Sequence, residues 1–165
     1  MITVLQIVLG ELPYYLAPCM QSVYRWSSAK GYKHIVLTDD DCPYHDRDDF
    51  DYLRHCSDYM RLDWLSKHER TLYIDWDIFL RDIIIDDESK ACFAPFEIAG
   101  GIIYNGDELE LFKKLRVGIE PRAGDRYPMM ARLRSFTNMN AHQKIRGTFA
   151  HMDHCQIVKQ SYELT

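Results

Sequence analysis

Two aspartates one residue apart, Asp75 and Asp77, interrupt the apolar run Leu72–Leu80. A buried strand that ends in carboxylates presents them to a cleft, and carboxylate oxygens are the ligands that Mg²⁺ and Mn²⁺ select. A divalent cation held there neutralises the charge that develops on a diphosphate leaving group. The stretch therefore predicts a cation site that serves phosphate chemistry.

The Asp-x-Asp spacing is weak evidence by itself. With 17 aspartates in 165 residues, about two such pairs arise by chance. The chain has four, and they are Asp39/Asp41, Asp46/Asp48, Asp49/Asp51 and Asp75/Asp77. Only the first and the last follow an apolar strand run. Each pair could instead consist of solvent-exposed loop acids without a ligand. Neighbouring residues must therefore distinguish a cation site from such acids.

The first half of the chain has a strand, helix, strand pattern. Near-continuous apolar runs predict buried parallel strands, and apolar residues at helical spacing predict the helices between them. The predicted strands are Ile2–Leu9, His34–Thr38 and Thr71–Ile74, and the predicted helices are Tyr14–Ala29 and Ser57–Glu69, with Ser57 as N-cap. Residues 39–56 are rich in aspartate and predict a loop. In such sheets ligands collect beyond the carboxyl ends of the strands, where Asp75 and Asp77 fall.

The second half is less regular. Short strands are predicted at Ile83–Ile85, Cys92–Phe96 and Thr148–His154. A helix is predicted at Glu108–Arg116 with Asp107 as its cap, and Met129–Leu133 has a weak helical pattern. Gly100 and Gly101 allow a backbone to approach a ligand closely, although a tight strand turn explains them equally well.

Composition sets the class of protein. A length of 165 residues fits one domain, residues 1–165, and 47% apolar with 27% charged residues is typical of a globular protein. A net charge of −5 and a pI near 5.8 argue against a nucleic-acid binder. The sequence has no apolar run that could span a membrane and no leader pattern, and its five cysteines lack paired spacing, so we expect a cytoplasmic protein with reduced thiols.

Two motifs in order carry a family resemblance. The helix segment Ser57-Asp58-Tyr59-Met60-Arg61 and the strand end Tyr73-Ile74-Asp75-Trp76-Asp77 together resemble the DXD-containing sugar-binding region of nucleotide-sugar glycosyltransferases. That family includes Golgi mannosyltransferases, bacterial polysaccharide transferases and glucosylating toxins. The likeness covers about residues 2–105, with the family's Gly-Gly before the tyrosine strand replaced by Glu69-Arg70.

The resemblance implies roles for individual residues. Asp77 is implied as the direct metal ligand and Asp75 as a ligand of the metal or the ribose, with His151, ahead of His154, completing the metal site. Asp58 and Arg61 are implied to hold the donor sugar, although residues three apart on a helix also form ordinary surface ion pairs. The residues that we assign to substrate binding are Gln6, Val8, Leu9, Asp39, Ser57, Asp58, Arg61, Trp76, Gly100, Gly101 and Asn105, with Glu97 as a further candidate for orienting the acceptor.

These observations predict one α/β domain of the Rossmann-like GT-A type, a mostly parallel sheet with helices on both faces. Residues 1–105 are expected to bind the nucleotide sugar, and residues 106–165 to close over the acceptor. The expected function is a metal-dependent glycosyltransferase of the hexosyltransferase type. It would use Mn²⁺ or Mg²⁺ and a UDP-sugar donor, with retention, toward a glycan, lipid-linked or protein acceptor. The alternatives are a nucleotide-sugar-binding protein without activity and a metal-dependent phosphohydrolase that uses the acidic residues 39–51 and the histidines. The oligomeric state is not indicated.

Overall fold

The computed structural model describes residues 1–43, 50–94, 101–117 and 143–152. Its strands are β1 (Thr3–Ile7), β2 (Lys33–Leu37), β3 (Thr71–Ile74), β4 (Ile78–Ile84), β5 (Cys92–Phe93), β6 (Ile102–Tyr104), β7 (Gln143–Lys144) and β8 (Arg146–His151). Its helices are α1 (Ala17–Ala29), α2 (Phe50–Leu65) and α3 (Leu109–Arg116). The predictions for Glu97, Gly100, Met129–Leu133 and His154 lie outside the described residues.

The strands form a six-stranded sheet and a separate two-stranded ribbon. The sheet has the order β2-β1-β3-β6-β5-β7, and the ribbon pairs β4 with β8. Strand β1 runs parallel to β2 and β3, β5 runs parallel to β7, and β6 runs antiparallel to β3 and β5. The prediction of a mostly parallel sheet is confirmed. The carboxyl ends of β1, β2 and β3 therefore meet at one edge.

Helices cover both faces of this sheet, as predicted. Successive strand residues point to opposite faces, so Leu5 and Ile7 of β1 pack in the cluster that contains α2 and α3 residues. Val4 points the other way and packs with Val23 and Trp26 of α1 and with the inner face of β4. Burial on both faces explains why β1 and β3 read as continuous apolar runs.

The predicted boundaries of α2 are wrong at both ends. The helix begins at Phe50, seven residues before Ser57, and ends at Leu65. In the sequence, apolar side chains continue upstream of Ser57 at helical spacing, and the many aspartates nearby obscured that pattern. Ser57 is therefore an interior helical residue and not an N-cap. The early end has a polar cause, since the Asn105 amide donates hydrogen bonds to the carbonyls of Leu65 and His68, at 2.8 and 2.6 Å.

The turn into β3 uses an arginine in a conformation that glycine usually takes. Arg70 has φ of 51°, and its amide donates to the Gly106 carbonyl at 2.7 Å. Its guanidinium pairs with Asp107, with Nε 2.9 Å from Oδ1. Asp107 therefore does not cap α3 as predicted. That helix follows Glu108, whose side chain makes no capping hydrogen bond.

The ribbon explains two further differences from the predicted elements. Strand β4 starts directly after Asp77 and includes only part of the predicted Ile83–Ile85 strand, and β8 ends at His151. Their antiparallel register fixes both boundaries and pairs Ile78 with His151. None of the helices in the described part of the chain combines the length and apolar character that a membrane crossing needs.

Candidate functional site

The two site aspartates lie on a tight turn between β3 and β4, at the carboxyl edge of the parallel strands. The turn closes through a hydrogen bond from the Ile78 amide to the Asp75 carbonyl, at 3.2 Å. Neighbouring segments tie it down, since Asp75 N donates to the Gly101 carbonyl at 2.7 Å and Met152 N donates to the Asp77 carbonyl at 2.8 Å. The backbone that presents both carboxylates is thus held from two sides.

Arg61 brings the helix motif and the strand motif together. Its Nη2 is paired with Asp58 Oδ1 one helical turn earlier, and its Nη1 lies 3.6 Å from Asp75 Oδ1. The guanidinium stacks over the Tyr73 ring at 4.4 Å from the centroid. Only 5% of the Arg61 side chain is exposed, against 17% for Asp58 and 28% for Asp75. This burial distinguishes the pair from an ordinary surface ion pair.

Tyr73 is a site residue to which no sequence pattern assigned a role of its own. Its side chain is 1% exposed, and its hydroxyl donates a hydrogen bond to Asp75 Oδ1. Residues two apart on a strand share a face, so the Tyr-x-Asp spacing could have indicated this contact. The hydroxyl and Arg61 both approach the same Asp75 oxygen, which fixes the orientation of that carboxylate.

Burial and neighbouring charges shift the pKa values of Asp75, Tyr73 and Arg61. Burial raises the pKa of the Asp75 carboxyl; Arg61 opposes the rise and the Asp77 carboxylate adds to it. The remaining exposure of Asp75 moderates this shift. Burial also raises the pKa of the Tyr73 hydroxyl well above its ordinary value, so that group stays a hydrogen-bond donor. Burial disfavours the charge on Arg61, but Tyr73, Asp58 and Asp75 outweigh it and raise the guanidinium pKa.

The Asp77 carboxylate lies beside the end of β8. Its Oδ2 lies 3.1 Å from His151 Nε2. Its Oδ1 is buried and accepts no hydrogen bond from any atom of the described residues. The structure therefore places His151 beside Asp77, as a shared metal site requires. Within the described ranges, no group of three or more histidine, cysteine or acidic side chains is close enough to hold a metal ion.

Two predicted substrate-binding side chains lie inside the protein. Gln6 and Asn105 are both fully buried. The Asn105 amide oxygen accepts from Thr71 N at 2.7 Å, which places Asn105 at the opposite end of β3 from Asp75. Gln6 lies near Asp75, but its side chain contacts the Asp75 carbonyl and His34. Internal hydrogen bonds explain why these polar residues stand in apolar strands.

The other predicted residues surround the edge. Asp39 follows β2, and its two carboxylate oxygens accept from Gly10 N at 3.0 and 3.1 Å, which fixes the turn after β1. The Gly101 carbonyl accepts from Asp75 N. Half-buried side chains at Val8, Ser57 and Trp76 and the buried side chain of Leu9 complete the predicted set.

Comparison with known proteins supports this geometry at the level of the fold. No protein-family model matches the chain, and no curated protein matches its sequence. The crystal structure of a glycosyltransferase involved in the glycosylation of the major capsid of PBCV-1 does match, with a TM-score of 0.63. The chain has the fold of that glycosyltransferase. The match covers 99% of both chains at 12% sequence identity.

Proposed function

We propose that the chain is a metal-dependent glycosyltransferase that moves a sugar from a nucleoside-diphosphate sugar to an acceptor hydroxyl. The observation that carries the proposal is the buried Arg61, which joins the Asp58 helix to the Asp75 turn at the carboxyl edge of the sheet. Charge burial of this kind at a ligand-collecting edge supports a functional site there. The shared fold with a solved glycosyltransferase supports the same class of reaction.

Asp77 and His151 have the chemistry to bind a divalent cation. The buried Oδ1 of Asp77 has no hydrogen-bond donor among the described residues, and His151 Nε2 approaches the other oxygen of the same carboxylate. A carboxylate and an imidazole fit Mn²⁺, and carboxylate oxygens also fit Mg²⁺. A bound cation would neutralise negative charge on the diphosphate leaving group. Asp75 is committed to Tyr73 and Arg61, so we assign it to the donor's ribose or to the edge of the metal site.

Asp58 and Asp75 are the groups that we assign to the donor's hydroxyls. Both keep partial exposure while Arg61, almost fully buried, holds one oxygen of each. An ionised carboxylate accepts several hydrogen bonds, so the second oxygen of Asp58 stays available for sugar hydroxyls and that of Asp75 for ribose hydroxyls. Arg61 then orients these two carboxylates through its positive charge and does not contact the sugar itself.

The finer assignments follow from the resemblance of the motifs. UDP is the expected nucleotide and a hexose the expected sugar, with transfer by retention to a hydroxyl of a glycan, lipid-linked or protein acceptor. The matched glycosyltransferase is involved in the glycosylation of the major capsid of PBCV-1, so a protein-borne glycan is the first acceptor to test. Cellular location remains the sequence-based expectation given above.

A donor screen tests the proposal. The wild-type chain is incubated with UDP-sugars and GDP-sugars in Mn²⁺ and an acceptor panel, and release of the nucleotide is measured. We expect release with one donor, its loss in Asp77→Asn, and its retention in Lys67→Met, which breaks an ion pair with Asp63 at the end of α2. Metal-dependent binding of a nucleotide without release on any acceptor would favour the binding-protein alternative instead.

A further inference from the structure

Strand β1 carries a glutamine amide that reaches from the site turn to the neighbouring strand. Gln6 is 0% exposed. Its Nε2 makes a long hydrogen bond of 3.5 Å to the Asp75 carbonyl, and its Oε1 lies 3.0 Å from Nε2 of His34 on β2. His34 is half-buried, with its ring 5.9 Å from the ring of Tyr24 on α1. The three side chains connect α1 and two strands to the turn that presents the aspartates.

The chemistry of these groups determines the direction of each hydrogen bond. A carbonyl oxygen only accepts, so the Gln6 amide must turn its NH₂ toward Asp75 and its oxygen toward His34. That oxygen also only accepts, so His34 must carry its proton on Nε2. Burial lowers the pKa of His34, so near neutral pH the ring holds a single proton. The network therefore selects one tautomer of a neutral histidine.

The acceptor at the end of this network is the carbonyl that closes the site turn. The same Asp75 oxygen accepts from Ile78 N, and the turn so closed contains Asp77. We propose that Gln6 and His34 are positioning residues of the candidate site: they hold the Asp75–Ile78 turn and thereby place Asp77 for its ligand. This role rests on the proposed function and replaces the direct substrate contact predicted for the Gln6 side chain.

Three variants separate positioning from general packing. Gln6→Met keeps the length of the side chain and removes both hydrogen bonds, and His34→Phe keeps the ring beside Tyr24 and removes the donor. Thr71→Val is the matched control. It removes the buried hydroxyl that donates to His68 O at 3.2 Å, at the other end of the same strand as the turn.

The first two readouts do not depend on any ligand. The ¹⁵N imidazole shifts of His34 should show the Nε2-protonated tautomer in the wild type and a mixture in Gln6→Met. Hydrogen exchange at the Ile78 amide should rise by about three- to tenfold in Gln6→Met, the range expected for one lost hydrogen bond. His34→Phe acts through Gln6 and should give a smaller rise, and Thr71→Val should give none.

The third readout is the affinity for UDP in Mn²⁺ by calorimetry. We expect Gln6→Met to weaken binding by about three- to tenfold while Thr71→Val binds as the wild type does. An Nδ1-protonated His34 in the wild type, or unchanged Ile78 exchange in Gln6→Met, would overturn the positioning role. If the wild type failed to bind UDP while the tautomer and exchange results held, the proposed function would fall and the support of the turn would stand.

Discussion

Replacing Arg61 by methionine is the perturbation whose energetic cost the structure defines best. Methionine keeps most of the buried volume and removes the charge. It leaves Asp58 and Asp75, which are 17% and 28% exposed, facing each other without their common cation. The free-energy cost of partly burying both carboxylates is then no longer offset by the Arg61 charge.

The magnitude follows from that burial. Removing one partner of a buried ion pair costs about 3–5 kcal/mol. Because both carboxylates keep some contact with water, we expect the lower end, a loss of about 3 kcal/mol in the free energy of unfolding at neutral pH. The matched control is Lys67→Met, just after the same helix, where the side chains of Lys67 and its partner Asp63 are 56% and 25% exposed. A pair of that kind contributes about 0.5 kcal/mol or less.

Urea denaturation followed by far-UV circular dichroism measures both variants. A loss in Arg61→Met that is several times the loss in Lys67→Met would support the buried cluster. Equal losses below about 1 kcal/mol in the two variants would refute the reasoning, because they would mean that Arg61 is solvated like Lys67.

Three further perturbations test other parts of the account. Arg70→Gly should leave stability nearly unchanged in thermal unfolding, because relief of the positive φ offsets the lost Asp107 pair. Arg70→Ala keeps the strain and loses the pair, so its melting temperature should fall below those of the wild type and of Arg70→Gly. Gly147→Ala should lower the free energy of unfolding by about 2 kcal/mol or more in the same assay, because the added Cβ would lie 2.1 Å from the Asp82 carbonyl oxygen at a φ of +155°. An unchanged melting temperature would contradict the register of the ribbon. Asp75→Asn should be at least as stable as the wild type at neutral pH, because the raised pKa of Asp75 means that the fold disfavours its ionised form. This advantage in stability should shrink as the pH falls toward the ordinary carboxyl pKa of 3.8, where the wild-type carboxyl becomes protonated. An advantage that grows as the pH falls would contradict the direction of the shift.

Local patterns predicted the parts of the fold that depend on one segment at a time. Burial on both faces made β1 and β3 visible as apolar runs, and β3 has its predicted boundaries, Thr71–Ile74. The start of α2 was missed because acidic residues near Phe50 resemble a loop when helical periodicity is not followed upstream. Asp107 was misassigned because its partner, Arg70, is 37 residues away.

The candidate site shows the same division. The sequence pointed to Asp58, Arg61, Asp75 and Asp77, and the structure joins the first three and places His151 at the fourth. The supporting side chains could not be assigned in this way. A buried Gln6 looks like a possible ligand contact until His34 and the Asp75 carbonyl appear beside it. Contacts between distant strands determine such roles, and spacing in one strand does not contain them.

The central claim is a two-part donor site, with Asp77 serving the cation and Asp58 serving the sugar. Calorimetric titration of UDP and of the UDP-sugar found in the donor screen, with and without Mn²⁺, tests it most directly in Asp77→Ala and Asp58→Ala. The account predicts that Asp77→Ala abolishes Mn²⁺-dependent binding of both ligands. It also predicts that Asp58→Ala binds UDP like the wild type and loses the added affinity for the sugar. Mn²⁺-dependent UDP binding that survives Asp77→Ala would contradict the claim.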